Sequence, residues 1–139
     1  MKKRKKKKIV ICASASFGDE TREWKRKLEE EGYIVVKHPT KINEDFLDNY
    51  KKSFLDCYRA IHKSDMVFVL NLEKNGIPGY IGPGVFAEIA FAIGINKVLN
   101  KRIGIFCLNP IAKNRLSYCD ELKSWQDLGW IKIFKKDKN

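Results

Sequence analysis

Short apolar runs alternate with longer amphipathic stretches along this chain. A short run without polar interruption, bounded by polar, Gly or Pro residues, is typical of a parallel strand that is buried on both faces. Five such runs, which predict five strands, occupy residues 9–13, 33–37, 66–70, 102–107 and 130–134.

The stretches between these runs repeat apolar residues at helical spacing, and they predict four helices over residues 20–31, 44–63, 83–96 and 118–128. Asp19 is placed to cap the first helix, and Gly32 is placed to end it. One face of the second helix carries an aromatic stripe, which we predict to belong to the core. The stripe consists of Phe46, Tyr50, Phe54 and Tyr58.

Strands that alternate with helices predict an α/β domain with one parallel sheet. We predict a flavodoxin-like (Rossmann-like), doubly wound, five-stranded sheet in the order 2-1-3-4-5. Ligands of such sheets bind outside the carboxyl ends of the strands, where the strand order reverses. This rule directs attention to the loops that follow strands 1 and 3, over residues 14–19 and 71–84.

Length and charge divide the chain into a domain and two basic ends. The 139 residues fit one domain, and 44% hydrophobic content supports a core. The net charge of +11 suggests a nucleic-acid partner, but every residue from Lys2 to Lys8 is basic and supplies much of it. We predict a flexible tail over residues 1–8, the domain over 9–134 and a basic tail over 135–139.

Several classes of protein are disfavoured by composition. No apolar run is long enough to span a membrane, and the run at 9–13 is too short for a signal peptide, so we expect a cytoplasmic protein. Only two histidines, His38 and His62, and no Cys-x-x-Cys pair are available for zinc, so we expect no metal and no cofactor. The four cysteines, which we expect to be reduced core residues, are Cys12, Cys57, Cys107 and Cys119.

The loop after strand 1 could bind a ligand because its small residues allow close approach to a helix N-terminus. The free N–H groups and the helix dipole attract anions there. The loop has neither the Gly-x-Gly-x-x-Gly nor the Walker pattern, and an ordinary Ser-rich turn is the alternative. Its candidate contact residues are Ser14, Ser16, Phe17 and Gly18.

The loop after strand 3 is long, Gly- and Pro-rich, and leads into a helix that is apolar except for Glu88. Long loops often bind ligands, and Asn71 at the strand end, Tyr80 and Gly82 are candidate contacts. A carboxylate in an apolar helix needs a partner or water, and helical side chains lean toward the N-terminus, so Glu88 can face the cleft. A glutamate on a solvent edge is the alternative.

The segment from strand 3 into this helix has the pattern Asn-x-Glu-Lys-Asn-Gly at 71–76 and Tyr-Ile-Gly-x-x-x-x-x-Glu-Ile at 80–89. With Ile-Cys-Ala-Ser-Ala-Ser at 11–16 and Lys-Ser-Asp at 63–65, it resembles the nucleoside 2-deoxyribosyltransferase superfamily, and especially its small members. The nucleotide N-glycosidases are related to this superfamily. The resemblance extends over about residues 8–134.

The resemblance implies that Glu88 attacks C1′ of a nucleoside or nucleotide to form a covalent glycosyl-enzyme, which water or a second base resolves. It also implies that Asp65 positions or protonates the leaving group and that residues 14–18 surround the sugar or 5′-phosphate. Gly82 replaces the Asp or Ser of better-known members, and the loop after strand 1 lacks their tyrosine. Members of the superfamily are homo-oligomers, so a dimer or higher assembly is expected.

Two alternatives remain open from the sequence. One is a non-catalytic nucleotide-binding module with the same cleft. The other is a nucleic-acid tether made by the basic run from Lys2 to Lys8, whose contacts with phosphate would be salt-dependent and independent of base sequence.

Overall fold

A computed structural model of the protein describes residues 5–135. Its five strands form one parallel sheet in the order β2-β1-β3-β4-β5, which confirms the predicted doubly wound α/β fold. The strands are β1 (Lys8–Cys12), β2 (Ile34–Lys37), β3 (Met66–Val69), β4 (Gly104–Cys107) and β5 (Lys132–Ile133).

The centre of the sheet is the most deeply buried part of the molecule. All four residues of β3 are buried, and β3 pairs with β1 on one side and with β4 on the other. Alternate strand residues point to opposite faces, so a strand with helices on both faces has to be apolar throughout. That requirement is the physical reason for the uninterrupted apolar runs in the sequence.

The helices begin and end close to the predicted positions, with one difference in capping. The first helix begins at Gly18, and Asp19 lies within its first turn, where it pairs with Arg22, so it does not cap the helix. Pro83 opens the third helix at its first position, as a proline without an N–H can. The four helices are α1 (Gly18–Glu30), α2 (Phe46–Lys63), α3 (Pro83–Leu99) and α4 (Cys119–Asp127).

The helices are distributed unequally over the two faces of the sheet. Core residues of α2, α3 and α4 pack together with the face of the sheet that carries Val10, Val67 and Ile105. On the other face, which carries Ile9 and Phe68, α1 is the only helix within residues 5–135. The sheet is therefore covered more completely on the first face than on the second.

The aromatic stripe of α2 is mostly exposed, so its predicted place in the core is wrong. Phe46, Tyr50 and Phe54 are 59%, 49% and 42% exposed. The rings stack on one another along the helix, and only Tyr58 reaches inward to Phe91 of α3. Helical periodicity indicates which residues share a face, but it does not indicate what that face contacts.

The basic ends are described only in part. Of the run from Lys2 to Lys8, residues 5–7 precede the sheet and Lys8 is the first residue of β1, whereas residues 2–4 lie outside the described range. Residues 136–139 of the predicted C-terminal tail also lie outside it. None of the helices within residues 5–135 is long and apolar enough to cross a membrane.

Candidate active site

Glu88 lies in the second turn of α3, at the edge of the sheet where the strands end. The helix starts directly after Gly82, whose carbonyl accepts the Phe86 N–H at 2.9 Å. Val85 and Ile89 face the core, while Glu88 is partly buried at the boundary between α3 and α2. The only polar residue in the middle of this apolar helix is therefore turned toward a cavity.

Two cysteines, Cys12 and Cys57, lie next to the Glu88 carboxylate. The Cys57 thiol of α2 donates a hydrogen bond to Glu88 Oε2 at 3.1 Å. A hydrogen bond with Cys57, burial and the nearby Glu88 carboxylate together raise the pKa of the Cys12 thiol well above its ordinary value. The three side chains come from β1, α2 and α3, so the tertiary fold alone brings them together.

The cavity next to Glu88, which we call the Glu88 cleft, has a volume of about 500 Å³. This volume lies within the range found for small-molecule sites. Tyr50, Phe54 and Tyr58 of α2 form one wall, and Pro83 and Gly84 lie at the start of α3. Burial first, and then the charge of Glu88, raise the pKa of Tyr58 to about 12. The cleft therefore presents a carboxylate beside aromatic rings.

A second cavity of about 600 Å³ lies at the N-terminus of α1. His38, Pro39 and Thr40, which follow β2, line both cavities and connect them. Predicted contact residues Ser16 and Gly18 line this second cavity together with Arg22.

Ser14 and Phe17, the other two residues predicted from the loop after β1, do not line these cavities. The Ser14 hydroxyl accepts a hydrogen bond from Lys74 Nζ at 2.9 Å and lies 2.9 Å from Ser16 Oγ. Phe17 is only 7% exposed, so it is a core residue and does not form a wall of the cleft.

Tyr80 and Gly82 contact each other at the start of α3. A Cβ atom added to Gly82 would lie 3.0 Å from the Tyr80 hydroxyl, so the tyrosine occupies the space that a side chain at position 82 would need. Lys74 Nζ lies 5.1 Å from the centre of the Tyr80 ring, within the range of a cation–π contact. The Tyr80 hydroxyl thus fills the space that the absence of a side chain at Gly82 leaves open.

Asn71, predicted to contact substrate, is instead a buried structural residue. It is 0% exposed, and its amide donates to the Asn109 carbonyl at 2.8 Å and accepts from the Asn109 N–H at 2.9 Å. The Asn109 amide returns a third bond to the Asn71 carbonyl at 2.9 Å. Both functional atoms of the Asn71 side chain are therefore occupied in joining the loops after β3 and β4.

Asp65, predicted to act with Glu88, lies at the opposite edge of the sheet. It precedes β3, and its Oδ2 accepts the Lys8 backbone N–H at 2.8 Å. The strand Met66–Val69 separates the two edges by about 13 Å at the usual rise of a strand. Asp65 and Glu88 of one chain therefore cannot contact the same small substrate, which corrects the prediction that they act together.

Sequence reasoning missed most of the residues that surround Glu88. Cys12 and Cys57 were predicted to be core residues, and the residues after β2 were assigned no role in the site. A general signal was present, because residues 38–40 follow a strand at the same edge of the sheet as residues 14–18.

Within residues 5–135 no group of three or more His, Cys, Asp or Glu side chains could hold a metal ion.

Comparison with known proteins adds no further evidence about this site, because no family model and no curated protein sequence matches the chain. The resemblance to the nucleoside 2-deoxyribosyltransferases therefore depends on the motif residues themselves.

Proposed function

We propose that the protein cleaves or transfers the N-glycosidic bond of a nucleoside or nucleoside 5′-monophosphate, with Glu88 as nucleophile. The observation that carries the proposal is the position of Glu88 in a cleft of about 500 Å³ at the carboxyl edge of the sheet. Parallel sheets bind ligands at this edge. Aromatic side chains such as Tyr58 and Phe54 offer faces on which a nucleobase can stack.

The proposed reaction has two steps at C1′. A Glu88 oxygen attacks C1′ while the C1′–N bond breaks, and its electron pair leaves with the base, which takes a proton from solvent. Water, or a nitrogen of a second base, then attacks C1′, loses a proton and releases Glu88. Both transition states resemble an oxocarbenium ion, which a neighbouring carboxylate stabilises.

Cys57 is the positioning residue in this proposal. Its thiol donates a hydrogen bond to Glu88 Oε2 at 3.1 Å and so holds the carboxylate in one orientation. Hydrogen bonds to charged groups contribute about 1.5–3 kcal/mol, so we expect Cys57→Ala to lower kcat by about 10- to 100-fold. Cys57→Ser, which retains a donor, should recover part of the loss. Equal kcat values for wild type and Cys57→Ala would contradict this role.

The direct test is incubation with a panel of deoxynucleosides and their 5′-monophosphates, with and without an acceptor base, followed by chromatography. We expect released or exchanged base with wild type and none with Glu88→Gln, which preserves shape and removes the nucleophile. Glu121→Gln, an exposed change in α4, is the matched control and should retain full activity. A peptide containing Glu88 should gain the mass of the sugar.

Two results would overturn the proposal. Turnover by Glu88→Gln at the wild-type rate would exclude the nucleophile. Nucleotide binding without turnover in either form would establish the non-catalytic binding module instead. The same incubation without acceptor separates hydrolysis from transfer, because only a hydrolase releases base when water is the only acceptor.

A further inference from the structure

A cavity larger than the Glu88 cleft lies away from Glu88 and has no part in the proposed reaction. It measures about 850 Å³ and extends from the amino ends of β1, β3 and β4 along the sheet face that carries α1. We call it the amino-edge groove. Its lining includes Lys7, Arg102, Phe106, Lys132, Phe134 and Lys135.

Positive charge predominates in the amino-edge groove. Lys7, Arg102, Lys132 and Lys135 line it, and their side chains form no ion pair or hydrogen bond with another described residue. The carboxylate in the lining is Asp65, and one of its oxygens already accepts the Lys8 N–H. Four cations that have no partner among residues 5–135 leave the groove with positive charge that an anionic ligand can neutralise.

Two aromatic rings line the groove together with these cations. Phe106 and Phe134 are half-buried and lie 6.3 Å apart between ring centres. Gly104 leaves space for the Phe106 ring, since an added Cβ would lie 2.7 Å from it. This face remains open because α1 is its only helical cover within residues 5–135, and α1 packs chiefly beside β2.

We propose that the amino-edge groove binds single-stranded nucleic acid. Proteins that bind single strands combine a positively charged groove, which follows the phosphates, with aromatic rings on which bases stack. A duplex hides its base faces, and a membrane surface is too flat to enter a concave groove. The proposal also gives a role to the basic run, because residues 5–7 lead directly into the groove.

The groove is independent of the Glu88 cleft, since the two open at opposite edges of the sheet. Binding at one edge and catalysis at the other can therefore be tested separately, and the failure of either proposal leaves the other intact.

The test is fluorescence anisotropy of the full chain with labelled single strands of about twelve nucleotides, titrated over a range of salt concentrations. Each phosphate contact contributes about −0.7 to the slope of log K against log salt, which is roughly fivefold in affinity at about 0.1 M salt. We expect Arg102→Ala with Lys132→Ala to weaken binding about 25-fold and to reduce the slope by about 1.4.

A matched double variant controls for net charge. Lys51→Ala with Lys52→Ala removes the same charge from exposed positions in the first half of α2, away from the groove. This variant should bind within about twofold of wild type, because it removes only the long-range field and no phosphate contact. An abasic strand of the same length should bind at least about fivefold more weakly than the normal strand, since stacking contributes about 1–3 kcal/mol per base.

Four results would overturn the proposal. The first is equal loss of binding in the two double variants, and the second is equal binding of the abasic and normal strands. The third is loss of binding on deletion of residues 2–6 with no effect of the Arg102 and Lys132 changes, which would establish the tail as a tether. The fourth is binding to phosphatidylserine vesicles but not to any single strand, which would establish a membrane surface as the partner.

Discussion

Replacement of Asn71 by alanine distinguishes a structural residue from a substrate contact. The change deletes the 2.8 Å bond to the Asn109 carbonyl and the 2.9 Å bond from the Asn109 N–H. A buried group left without a partner costs about 1–3 kcal/mol, and the half-buried position of Asn109 allows some compensation by water. We therefore expect Asn71→Ala to lower the free energy of unfolding by about 2–3 kcal/mol.

Urea denaturation, followed by circular dichroism, measures this loss as a shift of the transition midpoint at unchanged slope. Asn109→Ala is the matched comparison, because it removes only the 2.9 Å bond to the Asn71 carbonyl and should cost about 1 kcal/mol. An unchanged midpoint for Asn71→Ala, combined with weaker binding of nucleoside, would refute the structural role and restore Asn71 as a substrate contact.

Three further predictions follow from other contacts. Gly82→Ala should destabilise the fold, because the added Cβ would lie 3.0 Å from the Tyr80 hydroxyl. Tyr80→Phe in the same chain should relieve part of that loss in a double-mutant cycle. Additive effects of the two changes on thermal unfolding would contradict this contact. The raised pKa of Tyr58 means that its contribution to stability is complete below pH 10 and is lost as the pH rises toward about 12. Glu88→Gln should lower that pKa in a phenolate absorbance titration, and an unchanged pKa would show that the carboxylate charge does not act on the ring. The expected homo-oligomer would use the exposed face of α2, so Phe46→Lys should reduce the molar mass measured by light scattering, whereas equal mass for both proteins would exclude this face.

The architecture could be predicted because it depends on local patterns. Apolar runs without polar interruption that are separated by amphipathic stretches fit few folds other than a parallel sheet covered by helices. The connectivity of the chain then favours one strand order. The predicted order 2-1-3-4-5 is the observed one. Placement of Glu88 near the carboxyl edge also followed from local information, since its helix begins where β3 and its loop end.

The partners of individual residues could not be predicted in the same way. Asn71 lies just after β3 at the edge where ligands bind, yet Asn109 in the loop after β4 bonds to both polar atoms of its side-chain amide. Asp65 lies only a few residues from Asn71 in sequence, but a buried strand holds it at the other edge of the sheet. Each residue of an extended strand adds about 3.3 Å between the two edges of the sheet. The prediction that paired Asp65 with Glu88 did not take this length into account.

What the sequence determined by itself is the class of fold, the strand order and the edge at which Glu88 lies, because each follows from periodicity and chain connectivity. Only the tertiary structure decided that Cys57 holds the Glu88 carboxylate, that the aromatic stripe of α2 is mostly exposed and that four cations line one groove with Phe106 and Phe134. These contacts join segments far apart in the chain, so no local pattern encodes them. They depend on which faces the sheet and helices present to one another after packing.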